Sequence, residues 1–564
     1  MLMLLPIGGA LPLAAQRRAP SPKVTELMRR MTLAEKAAQL VMPWIPGTYA
    51  AFDDPAFERI VRWVDSLKVG SLIVSIGSPL DVAAKLNFLQ RRARLPLLIA
   101  SDLEGGTAFR FTGGTGFPTN MVVGATGSEA EAYQLGRIIA EEGRKVGVHI
   151  TFSPVADVNN NPVNPIINTR SFGGDARAVG RLVAAQVRGT QEHGMLATAK
   201  HFPGHGDTET DSHLALPVIA ADWAHLDSVE LVPFRAAIKA GVELIMSAHI
   251  ALPAIDSGRT RPATMVPEIL TGILRDSLGF KGLIVTDALD MGGIVASYGA
   301  GEAAVQALRA GSDILLQPSD PVVAVKAVVQ AVKDGRLTTA RLDRSVRRIL
   351  ELKVRLGLFA RRTVNLDSVG YVVGRKAFQD AARAASAEAL VLLRDSTGIL
   401  DSTAAGRRRI AVVTYGEANA GTVGGILAGE LRRRGHELTV FRLYPTSGPA
   451  SYDSARATLD GDGLALFAVS VRARESKGSI TLPEPLGTLI AGSARPALLV
   501  SFGSPYIISQ VPSVPAYLLA WLANPFTERA VAEALAGAAI TGTLPVVVPP
   551  GYQIGAGIQR HAKP

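Results

Sequence analysis

Short apolar β-rich runs alternate with longer amphipathic stretches through the first 360 residues, and this succession constrains the fold more than any other feature. The runs are "GSLIVSIG" (70–77), "LPLLIASDLEGG" (95–106), "GVHITFSPVADV" (147–158), "MLATAKHFPGHG" (195–206), "ELIMSAHI" (243–250), "GLIVTDALDM" (282–291) and "SDILLQP" (312–318). Helical patterns such as "EAEAYQLGRIIAEEGRKVG" and "PEILTGILRDSLG" separate them. Strand, helix and strand in regular order predict a parallel sheet with helical crossovers. Asp102, Asp157, Lys200 with His201, His249 and Asp287 all stand where an apolar run ends. In a (β/α)8 barrel the C-terminal strand ends converge on one mouth, where the site is built. Helix capping would explain one such residue but not the whole series. A TIM-like barrel over 21–362 is therefore expected, with an open doubly wound sheet as the alternative.

"RLDRSVRRILELKVRLGLF" (341–359) predicts an amphipathic helix stopped at Gly357, followed by a basic linker. The helix "AFQDAARAASAEALVLLRD" falls on the linker and connecting helix assigned to 363–385. Strands are expected at "RIAVVTYG" (409–416), "HELTVFRL", "GLALFAVSV", "PALLVSFG" and "AYLLAW", so 386–564 reads as an αβα sandwich. Gly421, Gly424 and Gly425 do not make GxGxxG, and a tight turn explains them better than a dinucleotide.

Cysteine is absent, which excludes disulfides, thiolate metal sites, a cysteine nucleophile and a lipid-anchored cysteine. Apolar residues make up 48% and charged residues 19%, enough for large cores. The net charge is 59 − 49 = +10, but the arginines are scattered and aromatics are only 5%, so nucleic acid is not an expected partner. Residues 1–20 begin with an apolar run too short to span a bilayer. It reads as the hydrophobic core of a signal peptide, with an unstructured N-terminus as the alternative. Export to the periplasm or beyond is the expectation, a cytoplasmic location the alternative; no other segment reads as membrane-spanning.

The densest chemistry lies in "AKHFPGHGDTETDSHLALP" (199–217), where three histidines and two aspartates fall within 13 residues. Pro203, Gly204 and Gly206 exclude a helix and make this a mobile loop leaving a strand. His201, His205, Asp207 and His213 could be zinc ligands, but neither a helical HExxH nor a cysteine supports that. Acid/base work is the better reading: the Asp211 carboxylate can fix the tautomer of His213, whose ring then donates and recovers a proton.

"KHFPGHGDTETDSH" resembles the signature of the β-N-acetylglucosaminidase branch of glycoside hydrolase family 3, and nearly the whole chain follows the family pattern. "DLEGG", "NPIINTRSFGGD", "IMSAHIALPAID", "RPATMVPEILTGILRDSLGFKGLIVTDALDM" and "RRILELKVRLGLF" resemble its barrel segments; "LLVSFGSPY" and "GTLPVVVP" resemble pieces of its second domain. The resemblance implies that Asp287 is the catalytic nucleophile, with Asp290 the lesser candidate. It implies that His213 is the acid/base and Asp211 its partner. Asp102, Arg110, Arg170, Lys200 and His201 would hold the hydroxyls of the sugar, with His249 lining the same mouth. No cofactor or metal is implied, and the oligomeric state is left open.

The implied activity is retaining hydrolysis of terminal β-linked N-acetylglucosamine, on cell-wall peptidoglycan fragments, through a glycosyl-Asp intermediate. A β-glucosidase or β-xylosidase, a phosphorylase of the same family, and a saccharide-binding scaffold are the alternatives. Thr107 and Leu103 depart from the family pattern, and are expected to alter the outer edge of the site and the choice of aglycone. Ala288 stands where a second Asp is frequent, which sharpens the assignment of Asp287.

Overall fold

The computed structural model describes residues 21–117, 119–416, 423–473 and 480–562. The candidate signal peptide in residues 1–20, and Gly421, lie outside the described residues.

The first half is an α/β unit on a curled parallel sheet. Strands β1 (Val41–Met42), β2 (Trp44–Pro46), β3 (Ser71–Ser75), β4 (Leu98–Ser101), β5 (Ile150–Thr151), β6 (Leu196–Phe202), β7 (Leu244–Ser247), β8 (Leu283–Val285) and β9 (Leu315–Leu316) follow one another in the chain. β2 to β8 pair in sequence order as one seven-stranded parallel sheet. Val285 bridges to Ile314, β9 pairs with β1 through Val41↔Leu315 and Met42↔Leu316, and only Pro43 separates β1 from β2. Hydrogen bonding thus runs around the curl from its last strand back to its first.

Local sequence sets the helices between the strands. Asp54, Ser78, Ser128, Asp175, Asp320 and Thr338 each accept backbone N–H bonds at a helix start, satisfying donors that the helix itself leaves unpaired. Proline at the first turn of Pro55–Asp65, Pro79–Arg92 and Pro321–Lys333 costs nothing, because no N–H is needed there. The strands are buried along their length, as expected for a parallel sheet covered by helices. β1 and β2 were not among the predicted runs, because Pro43 and Pro46 break the apolar pattern.

The second half carries β10 (Val391–Asp395), β11 (Arg409–Tyr415), β12 (Glu437–Leu443), β13 (Leu464–Val469), β14 (Ala497–Ser501) and β15 (Ala516–Leu519). They form a six-stranded sheet in the order β10-β15-β14-β13-β11-β12, antiparallel only between β10 and β15. β10 occupies "VLLRD", which sequence pattern joined to the preceding helix; that helix ends at Glu388. Alternate residues along β11 enter opposite cores, Ile410 and Val412 into one, Ala411 and Val413 into the other, so both faces are covered. Helix Gly425–Arg433 begins at Gly424, whose φ of +75° suits glycine. The carboxylate of Glu528 accepts from the N–H groups of Gly424, Ile426 and Leu427, filling the place where a helix would otherwise receive a phosphate.

The two halves meet along the loop after β5. Asn159 donates to the Tyr506 hydroxyl at 2.6 Å, Asn168 to Ser504 at 3.4 Å, and the Gly174 N–H to the Pro545 carbonyl at 2.9 Å. Met121, Val122 and Ala125 of the first half are buried in one core of the second. Among the described residues no helix is long and apolar enough to cross a membrane.

Candidate active site

Asp287 follows β8 and is fixed from both sides. The Thr286 N–H donates to Ile314 and the Thr286 hydroxyl accepts from Leu316, while the Asp287 N–H donates to the Ser247 carbonyl of β7. The strands on either side thereby aim the Asp287 carboxylate into the mouth. Its Oδ1 accepts from the Ala288 N–H at 2.8 Å. Burial would raise this carboxyl, but His201, His249 and His213, with the Ala288 N–H, outweigh it and hold it down at about 2. Such a group is ionised across the physiological range. Asp290 faces outward, bonded by the Gln317 amide at 2.8 Å.

Opposite-charge contacts build the floor beside it. The Lys200 ammonium lies 2.9 Å from Asp102 and 2.8 Å from Glu104. Arg170 donates twice to Glu104, at 2.9 and 2.8 Å, and Arg110 reaches Asp102 at 3.4 Å. Burial works against every ion here. Asp102 and Glu104 nevertheless keep Lys200 above the usual lysine range, and Arg170 and Lys200 drive Glu104 well below the carboxylate range. A fixed array of cations and carboxylates suits sugar hydroxyls, which both donate and accept.

His201 sits on β6, with Nδ1 2.7 Å from the buried carboxylate of Asp157. The carboxylate can only accept, so Nδ1 carries the proton and Nε2 is left as an acceptor, 3.5 Å from Arg170. Asp157 also accepts from the N–H groups of His201 and His205. His249 was expected among the sugar-holding residues, but both its ring nitrogens are engaged with the protein. Nδ1 meets Thr264 Oγ1 and Nε2 the Ala288 carbonyl, each at 2.9 Å. Burial keeps this ring neutral, so Nε2–H donates to Ala288 and His249 holds the turn that follows Asp287.

The loop after β6 brings in the dyad. Asp211 is buried and His213 partly open, with Nδ1 2.7 Å from Asp211 Oδ1, which also accepts the His213 N–H at 2.9 Å. The carboxylate therefore sets the tautomer: Nδ1 is protonated, and Nε2 is the nitrogen able to take up or give a proton. His205, in the zinc reading a ligand, bonds Thr208 through Nδ1 and Ser212 through Nε2, at 3.0 and 2.9 Å. Burial depresses its ring to about 4, leaving it neutral and structural.

Residues 32–352 match the pattern described as the glycosyl hydrolase family 3 N terminal domain. Over 543 residues, 92% of this chain, it is 31% identical to a β-N-acetylglucosaminidase/β-glucosidase of Cellulomonas fimi, covering 95% of that protein. The chain belongs to glycoside hydrolase family 3. The solved structure of a family 3 β-N-acetylglucosaminidase from Paenibacillus sp. str. FPU-7 superposes with a TM-score of 0.82 at 33% identity, over 92% of this chain and 99% of that one. A β-glucoside phosphorylase, BglX, bound to 2FGlc, superposes with a TM-score of 0.84 at 28% identity, over 93% of this chain and 96% of that one.

This family 3 glycoside hydrolase acts on carbohydrate, and its site holds groups that the sequence reading passed over. Glu104 lies inside the quoted "DLEGG" yet received no role, although it is the shared partner of Arg170 and Lys200. Asp157 was noted only as a strand end. The expectation for Leu103 and Thr107 is corrected: both are buried, at 0% and 1% exposure, so neither forms the outer edge of the site. Thr107 bonds the buried Glu142, which also accepts from Thr115 and the Gly374 N–H. A cleft of about 820 Å³, bordered by Trp44, Trp63 and Arg59, reaches the rim at Asp290 and Gln317 and is not lined by Asp287.

Proposed function

We propose that this protein is a retaining β-N-acetylhexosaminidase that releases terminal β-linked N-acetylglucosamine. One observation supports the reading: the turn that follows Asp287 is hydrogen-bonded, through the Gly292 and Gly293 N–H groups, to the loop on which Asp211 holds the His213 imidazole at 2.7 Å. In the first step Asp287 attacks the anomeric carbon while His213 Nε2 donates its proton to the departing oxygen. The glycosyl-Asp ester keeps the sugar, and the aglycone leaves as an alcohol. In the second step the neutral ring takes a proton from water, whose oxygen attacks the anomeric carbon and frees Asp287. Asp102, Arg110, Arg170, Lys200 and His201 hold the sugar in this scheme.

The fold in this reading is a (β/α)8 barrel over 21–362 followed, after 363–385, by an αβα sandwich over 386–564. Peptidoglycan fragments as natural substrate and an exported location belong to the same reading, and rest on sequence. The likeness to a β-glucoside phosphorylase favours one second reading, in which phosphate replaces water in the second step. Once it has given up its proton an imidazole donor is neutral, and repels the entering phosphate less than a carboxylate donor would. Hydrolysis of a panel of 4-nitrophenyl β-glycosides, with and without phosphate, separates the readings. Preference for the N-acetylglucosaminide with no response to phosphate supports the hydrolase. A sugar 1-phosphate product would replace it with the phosphorylase, and preference for the glucoside would overturn the N-acetyl assignment.

A further inference from the structure

The turn that carries Asp287 also seats the loop that carries His213. Gly292 and Gly293 open the short helix Gly292–Val295, after Met291, whose N–H bonds the Ala288 carbonyl. The Gly292 N–H donates to the His213 carbonyl at 3.3 Å and the Gly293 N–H to the Ser212 carbonyl at 3.1 Å. Free N–H groups of a helix start are satisfied here by the backbone of the acid/base residue itself. The approach is close enough to forbid a side chain. A β carbon at position 292 would lie 2.6 Å from the His213 oxygen and 2.7 Å from that of Leu214. At position 293 the nearest atom, the Ser212 oxygen, would be 3.2 Å away.

We infer that Gly292 is a positioning residue: it sets the separation between nucleophile and acid/base by letting the His213 backbone rest directly on the nucleophile's own turn. Gly292 has no positive φ, so its conformation does not demand glycine. At a helix position alanine is ordinarily better than glycine. The only objection to a side chain at 292 is thus the loop lying over it, and on this surface the objecting atoms are backbone. On the far side the loop is held by Ser212 Oγ against the ring of His205, which rests through its own N–H on Asp157. Displacement by a methyl group at 292 must therefore move Asp211–Ser212–His213 together. Protonation of the leaving group suffers, while Asp287 keeps its bonds to Ser247 and Ala288.

This inference rests on His213 being the proton donor, and the test separates the two claims. Gly292→Ala, Gly293→Ala, His213→Ala and the unaltered protein are assayed on 2,4-dinitrophenyl and 4-methoxyphenyl β-N-acetylglucosaminides. The first aglycone departs without protonation and the second requires it. Gly292→Ala is expected to lose about 10²-fold in kcat/KM on the methoxyphenyl substrate and less than about threefold on the dinitrophenyl one, in the same sense as His213→Ala. Gly293→Ala, whose contact is looser, should lie between. Gly272→Ala, on a helix with open space around it, controls for helix propensity and should match the unaltered protein. Equal losses on both substrates, or none, in a folded Gly292→Ala would overturn the positioning role while His213→Ala still discriminates. If His213→Ala fails to discriminate, the proton-donor reading falls and this inference with it. Should Gly292→Ala not fold, Gly293→Ala decides by the same criterion.

Discussion

Glu104 and Arg170, 66 residues apart, are joined by two hydrogen bonds of 2.9 and 2.8 Å, and the second Glu104 contact, Lys200, lies 2.8 Å away. One buried carboxylate thus fixes two cations that belong to the proposed sugar site. A bidentate guanidinium–carboxylate pair sets direction as well as distance. This makes Glu104 the support on which the proposed sugar-binding array stands.

Glu104→Gln keeps the shape and removes the charge. Lys200 then keeps Asp102 as a charged partner, while the Arg170 guanidinium loses the anion that holds it through two bonds and can turn. A loss of about 10²-fold in kcat/KM is expected, as misplacement by about 1 Å commonly costs. Stability should fall by about 3 kcal/mol, because a buried charge cluster has lost its central partner. Denaturant unfolding and initial rates on 4-nitrophenyl N-acetylglucosaminide measure both.

Asp287→Asn should lower kcat by at least about 10³-fold with little change in melting temperature, whereas Asp290→Asn should stay within about threefold. Asp290 is exposed and bonded by Gln317, and the proposed attack does not use it. A dead Asp290 variant beside an active Asp287 variant would reverse the assignment.

The pH profile follows from the same carboxylate. With Asp287 held at about 2, the nucleophile is charged at all higher pH and its protonation cannot produce an acid limb above about pH 3. Any acid limb of kcat/KM near pH 5 must then come from another group, and should persist unchanged in Asp290→Asn. Asp211→Asn should alter the profile's basic side, because the ring loses the anion that favours its proton. A milder version of the leaving-group selectivity of His213→Ala should accompany it.

The strand ends were legible because a parallel sheet under helices leaves nothing polar until the mouth is reached, so Asp102, Asp157, Lys200, His201, His249 and Asp287 announced themselves. The Asp211–His213 pairing was equally readable, since two residues of separation in a loop suffice for the contact. Partnerships across the mouth were not. Nothing in "DLEGG" tells which carboxylate meets Arg170, because that contact depends on the curl of the sheet. His249 looked like a substrate ligand for the same reason: its place at a strand end was visible, but not the Ala288 carbonyl its ring would meet. Leu103 and Thr107 misled because a departure from the family pattern carries no information on burial. The chain turns at the strand end and buries both. β1 and β2 were hidden by their prolines, and β10 by a helical stretch that runs into it without a turn signal.

Lys353 offers a test of the core away from the chemistry. It lies on helix Thr339–Arg355, wholly buried, with its ammonium 2.8 Å from Gln39 Oε1. Burial pulls it down to about 7. An unfolded lysine keeps its proton to about pH 10.4, so between about pH 7 and 10.4 the unfolded chain binds more protons than the folded one. Stability supplied by this site therefore rises with pH across that window. Below about pH 7 both states are protonated and the full cost of the buried charge is present. Lys353→Met should remove that cost and leave only the Gln39 oxygen without its donor, which costs about 1 kcal/mol. The expected net gain near pH 6 is about 2 kcal/mol, shrinking toward zero or reversing near pH 10, while kcat stays unchanged. Melting temperatures of the two proteins at pH 6 and pH 10 decide it: a difference that does not narrow as pH rises would mean that Lys353 is not a charged burden on the fold.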